Sequence, residues 1–245
     1  MNPKHSTSPG WLGKLRRVAC SLLLFSAGCS RGTETGNPPE AMLELGVTGF
    51  SDDYPSVAVG LAGPGLSIER AFVALRSVEL RACSGAGGVR FGDLSSDLVA
   101  PAAVRSTTSD ASEFCGAEVN VGSIEDPEHG ELAGRSVYVQ GKRGDGLPFE
   151  LASSVETRVI LDSDPPLTPF AATRLLLAFN LATWFAGADV AGAEATDGLV
   201  RIDAASNPLV LEAFELATPL APALYDDADG DGQLEGDAQP PAAGP

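Results

Sequence analysis

The chain has 245 residues, with 16 Lys+Arg against 33 Asp+Glu and a formal net charge of −17. That balance argues against a nucleic-acid partner, which needs a basic face to displace counterions from phosphate. At 44% hydrophobic and 20% charged, the chain is too apolar for a disordered acidic polymer, and it is long enough to bury a core as one large domain or two small ones.

Residues 1–28 read as an export signal rather than as part of a fold. Lys4, Lys14, Arg16 and Arg17 form a positive stretch with no acidic residue. The apolar run Val18-Ala19-Cys20-Ser21-Leu22-Leu23-Leu24-Phe25 follows, then the small residues Ser26-Ala27-Gly28 lead to Cys29. The run is shorter than the ~20 helical residues that cross a bilayer. No later segment approaches a span: the richest, 175–185, is broken by Asn180 and flanked by Pro169 and Gly187. Beyond residue 28, 12 basic residues face all 33 acidic ones, so the exported part carries −21.

Ser26-Ala27-Gly28-Cys29 resembles a bacterial lipobox, with Ser26 where Leu is usual. The resemblance implies that Cys29 is acylated on sulfur, becomes the first residue after cleavage, and is acylated (palmitate-type chains) on nitrogen. The alternative is an ordinary secretory signal cut near Gly28. Several acyl chains at ~0.8 kcal/mol per buried methylene would hold the chain at a bilayer without a transmembrane helix. The segment Gly32-Thr33-Glu34-Thr35-Gly36-Asn37-Pro38 is similar to one that follows the lipidated Cys in many lipoproteins of predatory or gliding Gram-negative bacteria, most of them of unknown function. In many Gram-negative bacteria an Asp directly after the lipidated Cys retains the protein at the inner membrane. Ser30 stands there, so the resemblance implies the outer membrane. Residues 29–40 then serve as lipid anchor and flexible tether, as Gly, Thr, Asn and Pro favour.

Cys83 and Cys115 remain for the exported chain. An even pair in an oxidising compartment predicts a disulfide. It would close 32 positions that contain Gly85-Ala86-Gly87-Gly88, Ser95-Ser96 and Ser106-Thr107-Thr108-Ser109, a stretch with little regular pattern.

From residue 41 the pattern is mainly β. Met42 to Val47 alternates in part, and Asp52-Asp53-Tyr54-Pro55 reads as a turn. In Phe72–Arg81 strict alternation puts Val73, Leu75 and Ser77 on one side, with Phe72, Arg76, Val78 and Leu80 on the other; a strand is preferred over a helix. Val137–Val139, a turn at Lys142–Gly146, and Phe149/Leu151 predict a hairpin. Val155–Leu161 predicts a further strand, ended by Asp162-Ser163-Asp164-Pro165-Pro166. Leu175, Leu177, Phe179 and Leu181 share a strand face, after which Asn180 would cap a short helix over 181–186 and Gly187 would stop it; one long amphipathic helix is the alternative. Leu199–Asp203 is a short strand. Leu209–Glu212 with Phe214 and Leu216 fits a strand or a helix, and Pro219 and Pro222 are expected to end regular structure. The expected fold is mainly β: a single β-sandwich-like domain over 41–225 with one short helix, stapled by the disulfide, followed by an acidic tail over 226–245.

The tail carries the one metal-like pattern. Asp227, Asp229 and Asp231, followed by Gly232, match the start of a calcium loop, with Gln233 offering its carbonyl and Glu235 or Asp237 supplying a late carboxylate. Ala238 stands where an EF-hand carries its bidentate Glu, so the pattern is nearer to isolated calcium loops of secreted modules. A solvated acidic tail is the competing reading. Hydrolase readings lack support: His129, in a charged turn, is the one histidine after the signal, and no G-x-S-x-G elbow occurs. Trp184 sits in the most apolar segment, as a core residue would. Arg70, Arg76, Arg81 and Arg90 are expected to offset neighbouring carboxylates.

The sequence therefore points to a non-enzymatic, lipid-anchored cell-envelope module with a structural or interaction role. Its expected partners are the lipid bilayer, through Cys29, and an envelope protein or a glycan; calcium is the sole candidate cofactor. The alternatives are a carbohydrate- or peptide-binding adhesin of the same build and, less favoured, an envelope hydrolase.

Overall fold

The computed structural model describes residues 40–50, 65–85, 87–100, 104–125, 127–169, 172–217, 222–227 and 234. The strands are β1 (Ala41–Phe50), β2 (Leu66–Ala82), β3 (Val89–Phe91), β4 (Leu94–Asp97), β5 (Val104–Ser109), β6 (Phe114–Val121), β7 (Val137–Arg143), β8 (Pro148–Ser153), β9 (Thr157–Leu167), β10 (Ala172–Asn180), β11 (Val200–Ile202) and β12 (Pro222–Asp226). Two helices, α1 (Leu181–Trp184) and α2 (Pro208–Ala217), and a 3-10 turn at Gly130–Leu132 complete the described chain. The fold is mainly β and sandwich-like. One sheet runs β12-β10-β1-β5, and the other is built around β2.

The long strand β2 organises the second sheet. Phe72 and Val73 pair with both β7 and β4, and Leu75 pairs with both β4 and β6. A strand has two edges, so β6 and β7 must share one edge of β2, end to end, with β4 on the other. The chain between them, 122–136, leaves that edge and returns to it: Gly122 N–H donates to the Ala74 carbonyl, and Ala74 N–H donates to Ser136. Strict alternation along β2 fails for a related reason. Register shifts fall between Ile68 and Arg70 and between Leu75 and Ser77. Each shift reverses which residues face inward. Ile68, Ala71, Val73, Leu75, Val78 and Leu80 thus all enter one core. Val78 and Leu80, expected opposite Val73 and Leu75, join them.

That core lies between the sheets. β1 contributes Leu43, Leu45 and Val47, β10 contributes Leu175, Leu177 and Phe179, and the hairpin β7–β8 contributes Val137, Val139, Phe149 and Leu151. The sheets also meet through hydrogen bonds at β4: Ser96 Oγ donates to the Val47 carbonyl at 2.8 Å, and Gly49 N–H to the Leu98 carbonyl at 2.9 Å. A smaller apolar cluster sits on the other face of β2, where Phe72, Ala74 and Tyr138 are covered by Leu132 and Ile124 of the 122–136 excursion.

The hairpin and the capped helix follow the sequence expectation. Asn180 Oδ1 accepts the backbone N–H groups of Ala182 at 3.0 Å and Thr183 at 3.3 Å. Three segments differ. β9 does not end at Asp162 but continues to Leu167 through Pro165 and Pro166, which an edge strand tolerates because one side of its backbone needs no donor. Residues 222–226 form β12 although Pro222 was expected to end regular structure; Pro is admissible as the first residue of an edge strand. The segment inside the disulfide loop holds β3, β4 and β5. The ambiguous 209–216 stretch is α2, started by Pro208, whose fixed φ suits a first helical turn.

Candidate functional site

Cys83 and Cys115 form the expected disulfide, with 4.9 Å between their Cα atoms. It joins the end of β2 to β6, next to a position that must be glycine. Gly116 has φ +142°, and a Cβ there would run into the Leu161 carbonyl oxygen. Arg81 closes the same corner: it donates to the Leu161 carbonyl at 3.1 Å and pairs with Asp162 at 2.5 Å.

Charged residues on the large sheet are paired, some across strands and some with the segments that flank them. Arg76 meets Glu156, Arg158 meets Glu118, Lys142 meets Glu69 and Arg70 meets Glu131. The Arg158 hydrogen bond holds the Glu118 carboxyl below its ordinary range, against the opposing effect of burial and with help from Asn120. Three of the four arginines expected to offset carboxylates (Arg70, Arg76 and Arg81) do so. His129 lies on this face too, its ring stacked on Phe72 at 4.4 Å between centroids, with Arg70 over the Phe72 ring at 4.8 Å. Nearby Tyr138 has its phenol pushed up, first by burial and then by Glu150. No nucleophile is hydrogen-bonded to His129 among the described residues; its ring contact is the stacking on Phe72.

A cavity of about 530 Å³ opens at the end of the sandwich that carries α1. Its walls are the start of β2 (Gly65, Leu66), the β7–β8 turn (Arg143, Gly144, Asp145), and the segment after α1 (Phe185, Ala188, Asp189, Val190). Arg143 pins these walls together. Its Nη1 donates to the carbonyls of Val190 at 3.3 Å and Ala193 at 2.9 Å, while Nε and Nη2 meet the Asp145 carboxylate. That hydrogen bond raises the Arg143 pKa above its ordinary value and lowers that of Asp145, which also accepts Leu147 N–H. Asp189 accepts Gly192 N–H at 2.8 Å, which tightens the wall. Sequence reasoning took Arg143 for a turn residue and gave no role to Asp189. Their alignment depends on contacts between positions 47 and 50 apart, for which the chain carries no local signal.

Most of the other sequence-derived site residues lie outside the described part. Cys29 does, and so do Asp229, Asp231, Gln233, Glu235 and Asp237 of the calcium pattern. Asp227 is described: it is buried, and its N–H donates to the Arg174 carbonyl at 3.0 Å, directly after β12. Among the described residues no three His, Cys, Asp or Glu side chains are grouped so as to hold a metal, and no helix is long and apolar enough to cross a membrane.

No family model matches the chain. No curated protein matches it either. Two solved structures show a slight likeness. One is MbnP from Methylosinus trichosporium, 12% identical, covering 77% of this chain and 99% of that one, with a TM-score of 0.44. The other is an NMR structure of a protein from Eubacterium rectale, 9% identical, covering 68% of this chain and 88% of that one, with a TM-score of 0.23. Scores of that size carry no function from either protein to this chain.

Proposed function

We propose that the protein is a non-enzymatic, lipid-anchored module of the cell envelope that presents a β-sandwich for interaction. The observation that carries this is the string Ser26-Ala27-Gly28-Cys29 behind a basic and then apolar stretch. The Cys83–Cys115 disulfide supports the reading, because such bonds persist in oxidising compartments outside the cytosol. Cys29 is the acylated residue, and Ser30 after it favours the outer membrane. Residues 30–40 reach at most about 40 Å when fully extended, at ~3.3–3.6 Å per residue, so the sandwich works close to the bilayer. Calcium, held by Asp229, Asp231 and their neighbours, orders the chain after β12.

Metabolic labelling with a clickable fatty acid tests the anchor. The parent chain takes up label and Cys29→Ala does not; label retained by Cys29→Ala would sink the proposal. Calorimetry tests the calcium site: heat on calcium addition should vanish in Asp229→Ala plus Asp231→Ala, and a parent chain without calcium-dependent heat would leave an acidic tail.

A further inference from the structure

An open sheet edge presents unpaired backbone N–H and C=O groups to any further strand. β9 is such an edge among the described residues: it is hydrogen-bonded to β6 and ends the large sheet on that side. Its regular pairing runs from Thr157, opposite Val121, to Asp162, opposite Gly116. Leu167 then pairs with Phe114, so residues 163–166 bulge out of the ladder. Pro165 and Pro166 lie in that bulge and have no N–H to offer. The open edge is therefore short, 157–162.

Leu161 fixes which backbone groups face outward. Its carbonyl points toward β6: it accepts the Arg81 guanidinium at 3.1 Å, and a Cβ on Gly116 would meet it. In an antiparallel ladder the N–H and C=O of one residue face the same edge, and those of the next residue face the other. Arg158, Ile160 and Asp162 thus turn their backbone groups away from β6. Their side chains share the outer face of the sheet, alternating with buried Val159 and Leu161. Ile160 is 46% exposed although large and apolar.

The order Arg158, Ile160, Asp162 is complementary to its own reverse. A two-fold axis at Ile160 sets that residue against Ile160 of a second copy, Arg158 against the copy's Asp162, and Asp162 against the copy's Arg158. In this register all three positions exchange both backbone hydrogen bonds, so main chain and side chains are satisfied together. The ion pairs Arg158–Glu118 and Arg81–Asp162 do not oppose it. They extend it into the row Arg81, Asp162, Arg158, Glu118 across the join, in which the sign alternates. A slip by two residues would set Ile160 against a charge. The other strands with an open edge carry one charge each: Arg90 in β3, Asp97 in β4, Arg105 in β5, Arg201 in β11 and Asp226 in β12. None of them can set a base against the acid of its own copy.

We propose that β9 joins two copies of this chain edge to edge, antiparallel about Ile160, into one continuous sheet. The occupant is a second copy because the pairing needs a base, an apolar residue and an acid at alternate positions, and this chain carries them on the edge itself. The contact is small, so the dimer forms and separates with concentration.

Sedimentation equilibrium of the full chain in density-matched detergent tests the proposal. The parent should associate reversibly to a dimer. Arg158→Glu sets like charges opposite each other twice, by symmetry, and should weaken the dimer about tenfold or more; Asp162→Arg should do the same. An equimolar mixture of these two variants should dimerise again, because each copy then meets the opposite charge at both positions. Only folded chains can give this rescue. Ile160→Cys should form a disulfide-linked dimer with copper–phenanthroline as oxidant, since paired residues of this kind stand ~5.5 Å apart at Cα. Arg90→Cys, exposed on β3, should not. A parent that stays monomeric up to about 100 μM would overturn the proposal. So would charge variants that associate as the parent does, or a mixture without rescue, since two chains merely sharing a micelle would give those results.

Discussion

The two ends of the sandwich are held by different physics. At the Cys83–Cys115 end, Leu80 and Phe114 are buried, Gly116 stands where β6 meets β9, and the corner is closed by a covalent link and by Arg81. At the α1 end there is no cross-link. Trp184 is fully buried, with edge-on contacts to Phe179 at 5.7 Å and Phe214 at 5.8 Å between centroids, and Phe185 meets Phe149 at 6.0 Å. The first end gains stability from the disulfide, which restricts the unfolded chain. The second end is ordered by aromatic packing from within and by Arg143, which ties the β7–β8 turn to the segment after α1. The contrast teaches that one sandwich can close its ends by different means: a covalent staple at one, and at the other a buried aromatic cluster with the Arg143–Asp145 pair beside it.

The contrast can be broken at several points. Trp184→Ala should cost the most, about 3–5 kcal/mol, because it removes the centre of the aromatic cluster. Trp184→Phe should cost clearly less: it keeps the ring contacts and removes an indole N–H that is buried without a partner among the described residues. Denaturant midpoints of the two variants check this, and equal losses would refute the aromatic account. Replacing both Cys83 and Cys115 by Ser should cost about 3.5–4 kcal/mol by the chain-entropy relation for a loop of 32 positions. The near-ultraviolet circular dichroism of the Trp184 cluster should persist in that variant under folding conditions, since the Trp184 ring is held by Phe179 and Phe214; its loss would show that the staple orders the shared core.

Smaller effects sharpen the picture. Asn180→Ala removes the cap of α1 and should cost about 1 kcal/mol, with Asn180→Asp retaining most of the stability. A chemical denaturation series distinguishes them. The smallest effect concerns pH. Glu118 has its folded pKa lowered beneath the ordinary 4.5. A depressed carboxylate stabilises the fold above its unfolded pKa, and that contribution disappears as pH falls through the folded value. Stability should therefore decline below about pH 4.5, the ordinary glutamate value, and Glu118→Gln should decline less steeply over that interval. Identical acid slopes for parent and variant would remove Glu118 from the account.

Local chemistry made some of this visible in the chain. The hairpin at 137–153 is legible because β-rich residues flank a Gly-containing turn. The Asn180 cap is legible because a helix start needs an acceptor for its free N–H groups. The disulfide is legible because two cysteines remain once the N-terminal pair is assigned to signal and lipid. β2 was legible as a strand, but its facing was not. Register shifts along it reverse its sides, and a bulge is decided by what the partner strand presents, not by the bulged strand alone. For the same reason β9 crosses Pro165 and Pro166: a proline stops a central strand and is tolerated on an edge, and edge position is a tertiary property.

The sequence by itself determined the β-rich class, the staple, the hairpin, the helix cap and the concentration of acid toward the C-terminal part of the chain. Each depends on neighbours within a few positions, on composition, or on a pair of rare residues. Tertiary structure alone decided where Arg143, Phe185 and Asp189 meet around one opening. It also decided that this opening lies opposite the start of β1. Those outcomes depend on which strands share an edge and which loops are brought together, and long-range pairing leaves no periodic trace in the chain.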